Sequence, residues 1–118
     1  MDISGAFRVE GKVKTRRLEA RLHNSKSRVG RGIEAERVDI RPHERGFGHR
    51  MGELTTTKIL GVQEVSLENV ECDEVFGGRV TIGEGCTVRG RVLYTESIEV
   101  HPHAHVAGTP EKAERLPP

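Results

Sequence analysis

Residues 80–82 of this chain read Val80-Thr81-Ile82, and residues 98–100 read Ile98-Glu99-Val100. The same apolar-x-apolar unit occurs three more times towards the N-terminus, as Leu18-Glu19-Ala20, Val38-Asp39-Ile40 and Leu60-Gly61-Val62, with steps of 20, 22, 20 and 18 residues along the chain. Repeats of about 20 residues are typical of solenoids, in which one unit cannot bury its apolar face alone and neighbouring units must stack. The sequence therefore predicts a stack of about five coils.

A longer pattern recurs after 60 residues. The first copy consists of Gly30-Arg31, Glu36, Val38, Ile40 and Pro42-His43, and the second of Gly90-Arg91, Glu96, Ile98, Val100 and Pro102-His103. We expect the two segments to occupy equivalent positions in different coils.

The composition favours strands and tight turns. The chain has 118 residues with 19 Val plus Ile against 13 Ala plus Leu, 14 Gly, three Phe, one Tyr and no Trp. β-Branched residues suit strands, and glycines suit the corners between them. No segment has the apolar stripe of a helix, so the predicted fold is an all-β, parallel β-helix whose interior is filled by aliphatic side chains.

The charge and cysteine content argue against several classes of protein. Nineteen basic and 18 acidic residues give a formal charge of +1, which provides no overall field to attract nucleic acid or anionic lipid. Cys72 and Cys86 are too few for a disulfide framework or a four-thiolate zinc site, so we expect two buried, reduced thiols. The acidic neighbours of Cys72 are expected to raise its pKa.

The sequence also predicts the cellular location and the domain organisation. The N-terminus has no basic segment followed by an apolar one, and no stretch approaches the roughly 20 apolar residues of a membrane span, which predicts a cytoplasmic protein with no membrane attachment. We expect one domain over residues 1–108. Residues 44–57 interrupt the pattern and are predicted to form a protruding loop, and the Pro-containing tail 109–118 is predicted to be disordered or loosely laid along the body.

The repeat pattern of residues 77–108 resembles that of the bactofilins, the polymer-forming cytoskeletal proteins of prokaryotes. The segments that carry the resemblance are Val88-Arg89-Gly90-Arg91-Val92, Ile98-Glu99-Val100-His101-Pro102 and Ala104-His105-Val106-Ala107-Gly108. The resemblance implies a single-domain, right-handed β-helix of triangular cross-section that assembles without nucleotide into filaments and scaffolds other proteins. The interruption at 44–57 and the missing hydrophobic N-terminal targeting segment depart from the family pattern.

The ends of such a stack are candidate surfaces for self-association, because the first and last coils leave backbone groups unpaired and apolar side chains half covered. The candidate residues are Ile3, Phe7, Val9 and Val13 at one end and Val92, Ile98, Val100 and Val106 at the other. The predicted partners are further copies of the chain and, through a scaffold role, protein cargo. No GxxxxGK[ST] motif is present, and we expect no nucleotide, nucleic acid or cofactor and no enzymatic activity.

The sequence leaves two alternative functions open. His101, His103 and His105 alternate along one predicted strand, so an HxH pair could hold a metal ion in a cupin-like enzyme, with His23, His43 or His49 as further ligands. A monomeric β-solenoid adaptor could instead bind a protein partner through the loop 44–57.

Overall fold

Short strands alternate with turns along the whole described chain. The computed structural model describes residues 2–4, 8–22, 26–42 and 53–115, and within these ranges it contains strands and turns but no helix. The strands are β1 (Asp2–Ser4), β2 (Arg8–Val9), β3 (Val13–Lys14), β4 (Arg17–Leu22), β5 (Lys26–Val29), β6 (Ile33–Pro42), β7 (Glu53–Thr55), β8 (Lys58–Leu67), β9 (Val70–Cys72), β10 (Glu74–Ile82), β11 (Thr87–Val88), β12 (Val92–Val100), β13 (His105–Val106) and β14 (Glu111–Lys112).

The strands form two parallel sheets that the chain visits in turn. The larger sheet has the order β1-β4-β6-β8-β10-β12-β14, with β3 also paired to β6, and the smaller has the order β13-β11-β9-β7-β5-β2. Each strand therefore lies directly beneath the one from the next coil, and all the pairs run parallel. The predicted all-β solenoid is confirmed: five complete turns are stacked, with a partial turn at each end.

Each long strand of the larger sheet is divided by a register shift. In β6 the shift lies at Glu36, between two stretches whose buried side chains are Ile33 and Ala35 on one side and Val38 and Ile40 on the other. Before Glu36 the odd-numbered side chains face the core, and after it the even-numbered ones do. Such a change is expected where an irregularity bends a strand. Each coil consequently has three straight segments: a first half and a second half of the larger sheet, and one short strand of the smaller sheet.

Stacking places like residues in columns. The second halves align Leu18, Val38, Val65, Val80 and Ile98 in one column and Ala20, Ile40, Leu67, Ile82 and Val100 in the next. The predicted equivalence of the two segments that lie 60 residues apart is thus confirmed, because Val38 and Ile98 share a column. Gly30 and Gly90 also correspond: an added Cβ would lie 2.4 Å from the carbonyl oxygen of Glu10 in the first case and 2.5 Å from that of Asp73 in the second.

The predicted repeat was wrong in its third copy. Val65-Ser66-Leu67 occupies the position that the sequence pattern assigned to Leu60-Gly61-Val62, so the true steps are 20, 27, 15 and 18 residues. Leu60 lies in the first half of β8, beside Phe76, and Val62 is 54% exposed. The long step contains the connection 43–52, and the short one contains turns of only two residues and one residue around β9.

Two expected irregular segments contribute strands. Residues 53–55 of the predicted loop 44–57 form β7, because Leu54 is completely buried in the core. Residues 111–112 of the predicted loose tail form β14, which pairs with Leu93 and Tyr94 of β12. Residues 44–52 and 116–118 lie outside the described residues.

Two polar side chains of the described residues, Ser27 and Thr56, are buried in the apolar interior. Thr56 is 3% exposed, and its Oγ1 has no hydrogen-bond partner. It follows Thr55, which pairs with Arg28 and Glu71, and therefore stands in the column between Val29 and Cys72. Leaving a hydroxyl buried and unpaired costs about 1 to 3 kcal/mol.

Replacing Thr56 with valine should therefore stabilise the protein. Valine has nearly the same shape and removes the desolvated hydroxyl, so we expect the free energy of unfolding in urea to rise by about 1 kcal/mol. Thr55→Val, one residue earlier on the half-buried face, is the matched control and should change stability less. Equal or lower stability of Thr56→Val would show that the hydroxyl is satisfied in solution.

Candidate functional site: the two ends of the stack

The C-terminal end exposes the last residue of a column whose members from Ala20 to Ile82 are buried. Along this column Ile40, Leu67 and Ile82 are at most 1% exposed, whereas Val100, the last member, is 42% exposed. Ile98 ends the neighbouring column and is only partly buried. Val100 is exposed because no further strand of the described residues lies on it, and an exposed apolar side chain of this kind favours contact with another apolar surface.

The backbone at this end is also open. The second half of β12 pairs with β10 on its inner side, and β13 pairs with β11. Among the described residues no strand lies on the outer side of either segment. An uncovered row of N–H and C=O groups on a parallel sheet is a template for another strand.

The described part of the tail, up to residue 115, lies on one half of this end. β14 pairs with the first half of β12, and the N–H of Ala113 donates to the carbonyl oxygen of Tyr94 at 2.8 Å. Val92 of that half is 1% exposed and belongs to the core of the single chain, whereas Val106 of β13 is partly buried. The exposed apolar surface is therefore formed by Ile98, Val100 and Val106.

At the N-terminal end, β1, β2 and β3 are the outermost strands. Ile3 pairs through its backbone with Ala20 of β4. Val9 is partly buried against the core, and Val13 is 7% exposed. Phe7, the remaining candidate at this end, lies outside the described residues.

The two halves of the described chain carry net charges of opposite sign. Residues 8–42 contain 11 basic and five acidic side chains, and residues 53–115 contain six basic and 11 acidic ones, which gives formal charges of +6 and −5. Within the basic half, the hydrogen bond and ion pair from Lys12 hold the pKa of the Glu34 carboxyl below its ordinary value, with smaller contributions from the nearby charges of Lys14 and Lys58. The near-neutral total conceals a molecule with oppositely charged ends.

The predicted histidine strand is not formed. β12 ends at Val100, residues 101–104 turn, and His105 begins β13. The rings of His101 and His103 lie edge to face with centroids 5.3 Å apart, the N–H of His103 donates to Nδ1 of His101 at 3.0 Å, and Nδ1 of His103 lies 3.8 Å from Oε1 of Glu84.

These contacts do not assemble a metal centre in the described ranges. No group of three or more His, Cys, Asp or Glu side chains within them is placed to hold a metal ion. His23, His43 and His49, the other proposed ligands, fall outside those ranges.

The two cysteines are free and buried, as predicted. Burial raises the pKa of Cys72 to about 12, with smaller contributions from Cys86 and Asp73, and burial raises the pKa of Cys86 to about 11. The direction predicted for Cys72 is confirmed, although burial rather than the neighbouring carboxylates is the main cause. Protonated, enclosed thiols are poor nucleophiles.

Sequence reasoning missed two features of the ends. β14 was not predicted because Glu111-Lys112 is short and charged. Such a pair can be recognised as a strand only from its pairing with β12. The charge separation was hidden by the total of +1, but comparing the two halves of the sequence would have revealed it.

Comparisons with protein-family models, with curated proteins and with solved structures find no match to this chain. Among the described residues there is no helix long and apolar enough to cross a membrane.

Proposed function

We propose that this chain is a non-enzymatic β-solenoid that associates end to end with further copies of itself and acts as a filament-forming scaffold or cytoskeletal element. The observation that carries the proposal is the open C-terminal end, where Val100 is 42% exposed in a column whose members from Ala20 to Ile82 are buried. Assembly would bury Val100 under another chain, in the same way that the following coil buries Ile40, Leu67 and Ile82 within the chain.

Two physical terms favour this association. Covering Ile98, Val100 and Val106 removes apolar surface from water, which contributes roughly 25 cal/mol for each Å² buried. Extending the ladders beyond β12 and β13 pairs the outer row of backbone groups, which otherwise remain a ready site for strand addition. Both terms act at the ends and neither requires nucleotide or a covalent reaction.

The proposal predicts that a charge at Val100 blocks assembly. In Val100→Lys an ammonium group occupies the contact and would have to be desolvated, so we expect filaments or large oligomers to disappear. Negative-stain electron microscopy and light scattering of concentrated protein measure this, and circular dichroism should show an unchanged β-rich spectrum.

Val62 provides the matched control. It is the other exposed large apolar side chain among the described residues, at 54%, but β8 lies between β6 and β10 in the middle of the stack. Val62→Lys should assemble like the unaltered protein. If the unaltered protein stays as uniform single chains at high concentration, the proposed function is wrong; if Val62→Lys alone blocks assembly, the contact is lateral.

A further inference from the structure

We infer that the copies join head to tail, with the N-terminal end of one chain completing the unfinished last coil of the next. This inference rests on the proposed function, because it specifies the polarity and register of the end contact. Three independent features support it: the shape of the two ends, the continuation of the columns, and the charges.

At each end of the stack, part of the coil extends one strand layer beyond the rest, and the two ends have complementary shapes. At the N-terminus the stack begins with β1 in the second half of the larger sheet and β2 in the smaller sheet, one layer beyond β3 in the first half. At the C-terminus it finishes with β14 in the first half, one layer beyond the remainder of β12. The last partial coil thus supplies only the segment that the first partial coil lacks.

Joining them produces one complete coil. β14 of one chain would lie beside β3 of the next, β1 would lie on the second half of β12, and β2 on β13. Every segment then continues as a parallel ladder in the direction that it already has within the chain. Contact between two like ends would instead bring strands together antiparallel and would leave the steps unmatched.

The column registers specify which residues meet. The column of Ile3, Ala20, Ile40, Leu67, Ile82 and Val100 would continue from Val100 to Ile3 of the next copy. The column of Lys14, Glu34, Leu60, Phe76, Leu93 and Glu111 would bring Glu111 beside Lys14. The column of Arg8, Arg28, Thr55, Glu71, Thr87 and His105 would bring His105 beside Arg8.

Electrostatics select the same polarity. A head-to-tail contact places the half of charge +6 against the half of charge −5. It brings Glu111 beside Lys14, and the same registers bring Glu99 beside Asp2, so the polarity is favoured by the charge of the two halves and by the Glu111–Lys14 pair, against one like-charge pair. Contacts between like ends place equal charges against each other, which disfavours them at moderate ionic strength. Apolar contact alone does not distinguish the two arrangements.

Cysteine cross-linking tests the polarity directly. Arg8 and His105 are both exposed, so Arg8→Cys and His105→Cys should fold normally, and the native thiols are buried. Adjacent residues of parallel strands have a separation that a disulfide can span. We expect disulfide-linked dimers when the two variants are mixed under oxidising conditions, and none when either variant or the unaltered protein is oxidised alone.

A charge exchange supplies a second, non-covalent measurement. Lys14→Glu and Glu111→Lys should each weaken assembly in light scattering, and the double variant should recover it, because the opposite pair is restored across the junction. In an arrangement of like ends the double variant brings no opposite charges together and gains nothing.

The filament repeat is a third measurement. Among the described residues each of the three segments contributes six strand layers per chain, so at about 4.8 Å per layer the head-to-tail axial repeat is about 29 Å. Alternating polarity would double it.

The possible results separate the two proposals. Filaments whose single-cysteine variants cross-link alone, or that resist cross-linking in the mixture, would overturn the head-to-tail register while leaving self-association intact. A protein that neither cross-links nor forms filaments would overturn the proposed function itself.

Discussion

Replacing Leu67 with alanine is expected to destabilise the protein by about 3 kcal/mol, since truncating a buried leucine removes apolar contacts and leaves a cavity. Leu67 is 1% exposed and lies in the middle coil, between Ile40 and Ile82 of the adjacent coils. Because the stability of a solenoid depends on contacts between neighbouring repeats, the cavity weakens the coupling on both sides. Urea unfolding at a protein concentration too low for assembly measures the loss.

Val100 provides the comparison within the same column. Its side chain is already 42% exposed, so Val100→Ala removes fewer buried contacts and should cost less than about 1 kcal/mol under the same conditions. Similar losses for Leu67→Ala and Val100→Ala would contradict the proposition that the last coil is uncovered in the single chain.

Alkaline pH should destabilise the protein through its two thiols. Burial raises the pKa of Cys72 from about 9 to about 12 and that of Cys86 to about 11, so between pH 9 and these values the folded chain retains protons that the unfolded chain releases. Stability therefore falls as the pH rises from about 9, and it is unaffected by these groups below about pH 8. By pH 11 the loss is on the order of 2 kcal/mol for each thiol.

The double variant Cys72→Val/Cys86→Ala isolates this effect from the titration of lysine and tyrosine. Valine at position 72 matches Val88 beside it in the column. The difference in unfolding free energy between the unaltered protein and the double variant should shrink or reverse in favour of the variant between pH 8 and pH 10.5. Parallel curves over that interval would show that the thiols are not responsible.

The solenoid was predictable from the sequence because inward-facing aliphatic residues must recur wherever coils stack. Val38, Val80 and Ile98 were assigned correctly to one column for this reason. Val65 was missed since the preceding connection changes the spacing, and the unit at Leu60 has the same apolar-x-apolar form. Local pattern alone cannot distinguish two such candidates; the neighbouring coils decide between them.

The candidate surfaces were predictable only in part. Val100 could be assigned to an end because it belongs to the last repeat, whereas the burial of Val92 depends on the core packing of β12. The stepped shape of the ends depends on where each strand begins relative to its partner in another coil. Such information arises from long-range pairing and has no signature within any single segment.

The register shift in the long strands has a consequence for variation in chain length. Between matched partners, coils contribute one residue at Glu36 or Gly78 but two at Val62-Gln63 or Thr95-Glu96, and the strands on both sides remain paired. These corners thus absorb insertions without disturbing the layers. An epitope or fluorescent label introduced at Val62-Gln63, in the middle coil, would project from the flank of every subunit, and polymers could be followed by microscopy with both junctions intact.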